Sequence, residues 1–294
     1  MTKKGNARTF GQDLMRHEHD FGPKKRTKTP KGKGGLTWSG AAASFDHYRV
    51  QEGTRESTDV SGTSIFDPVL CELVYRWFCQ PGGLVLDPFA GGSVRGIVAS
   101  KLGRRYVGID LRPEQLDANR RQATEICGDP VPQWICGDAL NLDALLNTKI
   151  RPDLVFSCPP YADLERYSDD PRDLSTLEYA DFLTKYRAIV AAAVAQLKPD
   201  RFACFVVGDM RDGAGFYRGF VRDTQQAFED AGARLYNEAI LVTAIGSLPI
   251  RVGRQFSGGR KLGKTHQNVL VFCNGDPRKA VDAIGPVECG DVPE

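Results

Sequence analysis

The chain of 294 residues is long enough for one large α/β domain with appendages, and its charges nearly cancel, with 39 Lys+Arg against 37 Asp+Glu. No apolar run approaches the roughly 20 residues of a membrane span, and no apolar core follows the basic start. We therefore expect a cytoplasmic protein without a membrane partner. The eight cysteines include no Cys-x-x-Cys pair and no neighbouring histidine cluster, which disfavours a metal site or a disulfide framework.

Residues 1–63 are predicted to form a basic, largely irregular N-terminal arm. Residues 1–35 carry ten Lys and Arg against three acids. Residues 1–40 contain almost no aliphatic side chains, so they cannot bury enough apolar surface to fold alone. The arm is either a solvated tail or a segment that lies on nucleic acid phosphates. The second interpretation requires a domain that acts on nucleic acid.

The predicted domain, residues 64–275, begins with an amphipathic helix whose start at Phe66-Asp67-Pro68 either packs the core or caps a cofactor pocket. Leu84 to Asp87 are predicted to form a strand buried on both faces, since three aliphatic residues precede the acid. The strand opens into the small-residue turn Pro88-Phe-Ala-Gly-Gly92, and a helix follows up to Gly103. A strand, a tight glycine turn and a helix are the first half of a nucleotide-binding βαβ unit.

The next two predicted strands also end in acids. Asp110 lies 23 residues after Asp87, where a carboxylate can accept both ribose hydroxyls of an adenosine. Its alternative role is the N-cap of the helix that follows. Asp138, after the third strand, is positioned to accept the amino group of an adenine.

The fourth predicted strand leads into Ser157-Cys158-Pro159-Pro160-Tyr161. Consecutive prolines give a stiff, extended backbone, and they leave nearby carbonyls free as hydrogen-bond acceptors because proline has no N–H. Tyr161 adds a flat aromatic face. Three further strands, near residues 201–207, 234–242 and 268–272, complete an α/β pattern of alternating strands and helices. This pattern predicts a Rossmann-like, seven-stranded, mostly parallel sheet with helices on both faces.

Residues 243–267 are predicted to be a long, basic substrate loop, rich in glycine and without a single acid. Loops of this length in a compact domain are usually functional or irregular, and positive charge suits a phosphate backbone. The polar residues 276–294 are predicted to form a C-terminal tail. The predicted nucleic-acid-binding residues of the loop are Arg251, Arg254, Arg260, Lys261, Lys264 and His266.

The acid of the first turn favours one cofactor over the others that such sheets bind. A pyrophosphate needs free N–H groups at a helix N-terminus, whereas Asp87 would repel it and the G-x-G-x-x-G spacing is absent. S-adenosylmethionine has no phosphate, and it carries an ammonium and a sulfonium that an acid attracts. We therefore predict S-adenosylmethionine as the cofactor and S-adenosylhomocysteine as its product.

Asp87-Pro-Phe-Ala-Gly-Gly92 together with Cys158-Pro-Pro-Tyr161 resembles the amino-methyltransferases of DNA, which methylate adenine N6 or cytosine N4. The resemblance covers about residues 65–273, and the segments Gly208–Asp212 and Arg260–His266 resemble members carried by phages and mobile elements. It implies double-stranded DNA as the partner and no metal. The predicted catalytic residues are Ser157, Cys158, Pro159, Pro160 and Tyr161. The predicted cofactor-binding residues are Phe66, Asp67, Asp87, Pro88, Phe89, Ala90, Gly91, Gly92, Asp110, Leu111 and Asp138.

The chemistry that this resemblance implies depends on positioning. Hydrogen bonds from the exocyclic amine of a flipped base to a side-chain oxygen and a proline-flanked carbonyl direct its nitrogen at the sulfonium methyl. Cys158 stands where the family has Asp, Asn or Ser, and a thiol is a weak acceptor. Either the backbone carbonyls are the main acceptors of the amine, or the Ser157 hydroxyl compensates for the weak thiol, or the activity is low. Cytosine-C5 chemistry is disfavoured, because those enzymes place the nucleophilic cysteine after the proline.

Two alternative functions stay open at the level of sequence. One is an RNA base N-methyltransferase of the same fold, which the basic arm permits equally. The other is a catalytically weakened relative that binds nucleic acid. The sequence leaves open the choice between adenine and cytosine, the recognition sequence and the oligomeric state.

Overall fold

The computed structural model describes residues 66–146, 151–162, 166–243 and 248–287, with the side chains of 248–251 left out. The predicted arm, residues 1–63, lies outside the described residues, as do the Arg251 side chain and the last seven residues of the predicted tail.

Within the described residues, seven strands form one sheet in the order β3-β2-β1-β4-β5-β7-β6. The first five strands pair in parallel, and β7 runs antiparallel to both of its neighbours, β5 and β6. The predicted Rossmann-like, mostly parallel seven-stranded sheet is thus confirmed. The strands are β1 (Leu84–Asp87), β2 (Arg105–Asp110), β3 (Gln133–Cys136), β4 (Leu154–Ser157), β5 (Arg201–Val207), β6 (Arg234–Val242) and β7 (His266–Asn274).

The chain order of the strands reverses between β1 and β4, because the chain moves outward from β1 to β3 and then returns to the other side of β1. Open α/β sheets bind their ligands beyond the carboxyl ends of the strands at such a switch point. The functional site is therefore expected where the turn after β1 meets the loop after β4.

Eight α-helices lie in the described part of the chain, and none of them is long and apolar enough to cross a bilayer. They are α1 (Pro68–Phe78), α2 (Val94–Lys101), α3 (Pro113–Ile126), α4 (Leu142–Leu145), α5 (Tyr179–Gln196), α6 (Phe220–Asp230), α7 (Leu248–Gly259) and α8 (Pro277–Ile284).

Two of these helices correct the sequence predictions. Helix α7 occupies residues predicted to be loop, and it has Val252 and Phe256 one helical turn apart. Helix α8 lies in the predicted tail and begins where the Asp276 carboxylate accepts the Arg278 N–H at 2.8 Å. Ala280 of α8 is fully buried on the core, so the folded region extends beyond the predicted boundary at residue 275. Helix α8 did carry local signals, since Asp276-Pro277 is a typical helix start and Ala280 and Ile284 are four residues apart.

Apolar layers cover both faces of the sheet. Side chains of α4, α5 and α6 pack on one face, with Phe182 and Tyr186 fully buried. Side chains of α1, α2, α3 and α8 pack on the other face, with Tyr75 at the centre of α1 fully buried. Strands β1 and β4 are buried along their whole length, which explains their uninterrupted apolar sequences.

The buried carboxylate of Asp153 joins several segments by hydrogen bonds at the amino-terminal edge of the sheet. Asp153, just before β4, accepts the Leu84 N–H at 3.0 Å, the Gln80 amide at 2.7 Å and the Lys198 ammonium at 2.7 Å. Burial alone raises the pKa of Asp153, but these hydrogen bonds outweigh it and hold the pKa below its usual value. This anchor leaves the opposite, carboxyl edge free for a site.

Candidate active site

The acid at the end of β1 is the centre of a buried hydrogen-bond network. The Asp87 carboxylate lies 2.6 Å from Arg95 Nε and accepts the Tyr106 hydroxyl at 2.7 Å. It also accepts the Phe89 N–H at 3.1 Å and the hydroxyl of Ser157. Asp87 is fully buried, and its partners come from α2, β2, the turn after β1 and the end of β4. The network therefore fixes the turn to the sheet.

Arg95 is the cationic half of this network. Its Nη2 donates to the carbonyls of Phe89 at 2.8 Å and Ala90 at 2.9 Å, and its guanidinium lies 4.6 Å from the centre of the Phe66 ring. Burial alone lowers the pKa of Arg95, but the Asp87 carboxylate outweighs it and holds the pKa above its usual value. Arg95 thus stays charged and holds the turn from its helix side.

The ion pair with Arg95 changes the role predicted for Asp87. From the sequence alone, Asp87 is expected to be a free acid that repels phosphate and attracts the cationic donor. In the structure its charge is matched by Arg95, and it lies beneath the cavity described below rather than in the cavity wall. Ala90 is also fully buried and does not line the cavity.

A cavity of about 470 Å³ lies at the carboxyl ends of β1, β2 and β4. Its volume falls in the range of small-molecule sites, about 300–1,000 Å³. The cavity brings together two motifs that are some 70 residues apart in the sequence. The predicted site residues in its wall are Phe66, Asp67, Pro88, Phe89, Gly91, Gly92, Asp110, Leu111, Asp138, Cys158, Pro159, Pro160 and Tyr161.

The turn after β1, residues 88–92, which we call the cofactor turn, presents bare backbone to the cavity. Gly91 has a φ of +50°, a left-handed conformation that favours glycine. A Cβ atom built on Gly91 or Gly92 would meet no atom within 4 Å, so both glycines face open space. Asn119 of α3 donates to the Gly91 carbonyl at 2.8 Å and supports the turn from outside.

Asp110 faces this turn from the end of β2. One carboxylate oxygen accepts the Gly91 N–H at 2.9 Å, and the other accepts the Arg112 N–H at 2.9 Å. Burial raises the pKa of Asp110 above its usual value. The N-cap position of α3 is Arg112 rather than Asp110, so the alternative structural role does not apply. Each oxygen retains a lone pair for a further donor, such as a hydroxyl.

The loop after β4, residues 157–161, which we call the catalytic loop, closes the other side of the cavity. The Tyr161 hydroxyl accepts a hydrogen bond from Gln267 Nε2 at 2.6 Å, and its ring packs edge-on against Phe220. Burial raises the pKa of Tyr161 well above its usual value, so the phenol stays protonated. Sequence reasoning missed Gln267, because a lone amide at the end of a basic segment has no distinguishing spacing.

Ser157 and Cys158 occupy different environments although they are adjacent. Cys158 lines the cavity, whereas Ser157 is fully buried and donates its hydroxyl to Asp87. The predicted compensation of the weak thiol acceptor by Ser157 therefore has no geometric support. Acceptance by the backbone carbonyls and low activity are the two alternatives that stay open.

Of the basic segment, residues 243–267, Gln267 lines the cavity, whereas the described cations that were predicted to bind nucleic acid do not. Arg254, Arg260 and His266 are exposed, and Lys261 and Lys264 are half-buried. None of these five described side chains lines the cavity. The cavity also has wall residues that sequence reasoning did not identify, namely Arg112, Gln115, Gln122, Tyr167, Arg172 and Gln267.

The strand order and the cavity at its switch point define a Rossmann-like α/β fold. Among solved structures, TrmN from Thermus thermophilus is similar with a TM-score of 0.48 and 17% identity, over 71% of this chain and 49% of that chain.

Sequence comparison finds similarity to methyltransferases that act on DNA. Residues 1–121 match a family model described as DNA methylase. The type II methyltransferase M2.DpnII of Streptococcus pneumoniae is 46% identical over 53 residues, which are 18% of this chain and 20% of that protein. The type II methyltransferase M1.MboII of Moraxella bovis is 30% identical over 126 residues, 39% of this chain and 48% of that protein. The chain thus spans less than half the length of these curated relatives.

These matches confirm the resemblance to the adenine-N6 and cytosine-N4 methyltransferases of DNA. The family model includes the cofactor turn and ends before the catalytic loop. The likeness of the catalytic loop to this family therefore rests on its Pro-Pro-Tyr motif and on its position at the end of β4.

Proposed function

We propose that this chain is an S-adenosylmethionine-dependent methyltransferase that modifies the exocyclic amine of adenine N6 or cytosine N4 in double-stranded DNA. The observation that carries the proposal is the single cavity walled by the cofactor turn, Asp110 and the catalytic loop. The DNA methylase match over residues 1–121 supports DNA as the substrate.

The residues of the cavity fit the proposed cofactor. S-adenosylmethionine, when bound, supplies an electrophilic methyl group. The bare backbone at Gly91 and Gly92 leaves room for it, and the carboxylate of Asp110 can accept ribose hydroxyls. Phe89 offers an apolar surface, and Asp138 offers an acceptor for an adenine amino group.

Asp67 takes the electrostatic role that the sequence predicts for Asp87. Its Oδ1 accepts the N–H groups of Val69 and Leu70 at 2.8 and 3.2 Å, and the carboxylate lines the cavity at the start of α1. The charge of Asp87, in contrast, is already matched by Arg95. We therefore assign attraction of the donor's cationic groups to Asp67.

The catalytic loop positions the target base and needs no covalent intermediate. The Tyr161 ring, fixed by Gln267 and Phe220, offers a face on which a flipped base stacks. The carbonyls around Pro159 and Pro160 accept the N–H groups of the exocyclic amine, and this orients its lone pair for attack. Rate enhancement then comes from alignment and electrostatics.

Transfer of labelled methyl groups tests the proposal directly. The full chain is incubated with labelled S-adenosylmethionine and unmethylated bacterial genomic DNA, and digested nucleosides are identified by mass spectrometry. We expect N6-methyladenine or N4-methylcytosine, and sequencing of the methylated DNA then identifies the recognition site. Label in RNA alone would overturn DNA as the substrate, and donor binding without transfer to either polymer would indicate a weakened relative.

A further inference from the structure

The segment between β5 and α6 contains a tightly bonded turn, residues 211–217, which we call the aromatic turn. Asp212 Oδ1 accepts the N–H groups of Gly215 at 2.7 Å and Phe216 at 2.9 Å, and the Asp212 N–H donates to the Phe216 carbonyl at 2.8 Å. Arg211 donates to the Gly215 carbonyl at 2.8 Å, and its guanidinium lies 3.8 Å from the centre of the Tyr217 ring. The backbone of the turn is thus fixed.

Hydrogen bonds also fix the residues on either side of the aromatic turn. Asp209 Oδ1 accepts the N–H groups of Gly219 at 2.9 Å and Phe220 at 3.1 Å. Phe220 is fully buried and packs against Tyr161. The aromatic turn therefore keeps a defined position relative to the catalytic loop.

This rigid backbone holds aromatic side chains in water. Phe216 is 73% exposed and Tyr217 is 47% exposed. Exposed apolar side chains are common on flexible surfaces, but here the hydrogen bonds of Asp212 keep Phe216 outside the core. Two adjacent aromatic rings that are held exposed on a fixed turn form an apolar surface suited to a partner.

The aromatic turn lies between the catalytic loop and the basic segment. Gly208 packs on Tyr161, because a Cβ atom added there would lie 3.7 Å from the Tyr161 ring and hydroxyl. The Lys261 ammonium packs on Gly215, since a Cβ atom added there would lie 2.7 Å from Nζ. The segment from Gly208 to Gly215 thus contacts Tyr161 of the catalytic loop at one end and Lys261, which follows α7, at the other.

The charges around the turn fit a polyanion. Arg211 and Lys261 lie on it, while its acids, Asp209 and Asp212, are occupied by backbone N–H groups. Burial lowers the pKa of Lys264, and the nearby Asp209 opposes this shift. Cations interleaved with exposed aromatic rings are the surface that nucleic acid binds, through phosphate contacts and base stacking.

We propose that Phe216 enters the base stack beside the target nucleotide, with Arg211 and Lys261 on the flanking phosphates. This inference rests on the proposed function. A base that leaves the duplex for the cavity leaves a gap in the stack. An apolar side chain on a rigid turn that is anchored to the catalytic loop through Phe220 and Gly208 fills that gap and compensates for the lost stacking.

The test compares Phe216→Ala and Phe216→Trp with Val131→Ala, a control at a 61% exposed position just before β3, at the opposite edge of the sheet. We expect Phe216→Ala to lower kcat/KM for duplex DNA about tenfold or more, as loss of a base–aromatic stack does. Phe216→Trp should retain activity, and Val131→Ala should match the parent. All variants should bind S-adenosylmethionine equally in calorimetry. Duplex activity of Phe216→Ala within about twofold of the parent would overturn the inference.

A fluorescence measurement separates this inference from the proposed function. Duplex DNA should quench the emission of Phe216→Trp more than that of the parent, because indole stacked on bases loses fluorescence. This readout needs no methyl transfer. Extra quenching in a chain that transfers no methyl would refute the proposed function and support the stacking contact. Equal quenching in both proteins would refute the contact itself.

Discussion

The carboxylate of Asp87 accepts hydrogen bonds from the side chains of Arg95, Tyr106 and Ser157. Such a buried, fully paired charge holds structure together, and it is costly to disturb because the partner charge is left without a counterion. The first acid of the motif therefore acts on the cofactor turn through Arg95.

Replacing Asp87 with alanine should lower the free energy of unfolding by about 3–5 kcal/mol, because Arg95 becomes an uncompensated buried charge. Methyl transfer should be lost with it. Urea denaturation measures the change. Asp117, paired with Arg120 on the surface, supplies the matched control, and Asp117→Ala should change stability by about 0.5 kcal/mol or less. Similar losses in the two variants would contradict a special role of the buried pair.

Gln267 is the residue that positions Tyr161 through its 2.6 Å hydrogen bond. Gln267→Ala should lower kcat/KM for DNA about tenfold, the cost of losing one hydrogen bond that holds the buried hydroxyl. Affinity for S-adenosylmethionine should stay unchanged in calorimetry. Tyr161→Ala should abolish transfer.

A double-mutant cycle separates positioning by Gln267 from a general structural effect. In the Tyr161→Phe background no hydroxyl remains to be held, so Gln267→Ala should have little further effect. Additive losses in kcat/KM would show that Gln267 acts independently of Tyr161.

At the level of elements, strands were easier to predict than helices. Buried parallel strands such as β1 and β4 are short apolar runs, and local sequence reveals them. Helix α7 escaped prediction because glycines and cations interrupt its apolar residues. Helix α8 was missed although Asp276-Pro277 is a typical helix start and Ala280 and Ile284, four residues apart, both pack against the core.

Asp153 joins the start of β4 to β1 and to the residues after α5 and α1. Asp153→Asn should lower the free energy of unfolding near neutral pH by about 1–3 kcal/mol, because the amide cannot replace the carboxylate as an acceptor from all three donors.

The effect of Asp153→Asn should depend on pH. The pKa of Asp153 is lowered in the folded state, so its stabilisation is present above the ordinary value of 3.8 and is lost as pH falls through the folded pKa. Urea denaturation at neutral and at acidic pH should therefore show the difference between parent and variant shrinking in acid. A constant difference would contradict the assignment.

Over the whole molecule, positive charge is concentrated in two sequence segments. They are residues 1–35 of the N-terminal arm and the basic segment, residues 243–267. In the second segment, Lys261 reaches the aromatic turn. Cations placed around a cavity for a flipped base are suited to the phosphates on either side of that base.

Deleting residues 1–35 should weaken DNA binding and reduce its salt dependence, because each phosphate contact contributes about 0.9 to the slope of log K against log salt. Fluorescence anisotropy with labelled duplex DNA at several salt concentrations measures this slope. A chain lacking residues 288–294 is the control and should keep the parent slope. An unchanged slope without residues 1–35 would identify the arm as a solvated tail.

The sequence by itself determined the alternation of strands and helices, the cofactor turn and the Pro-Pro-Tyr loop, because apolar periodicity and turn chemistry depend on neighbouring residues. Only the tertiary structure decided that Arg95 matches Asp87, that Ser157 turns away from the cavity, and that Gln267 holds Tyr161. These partners lie 8, 70 and 106 residues apart in the chain. Whether an acid is free or paired, and whether a hydroxyl reaches a cavity, depends on which distant side chains the fold brings within hydrogen-bonding distance.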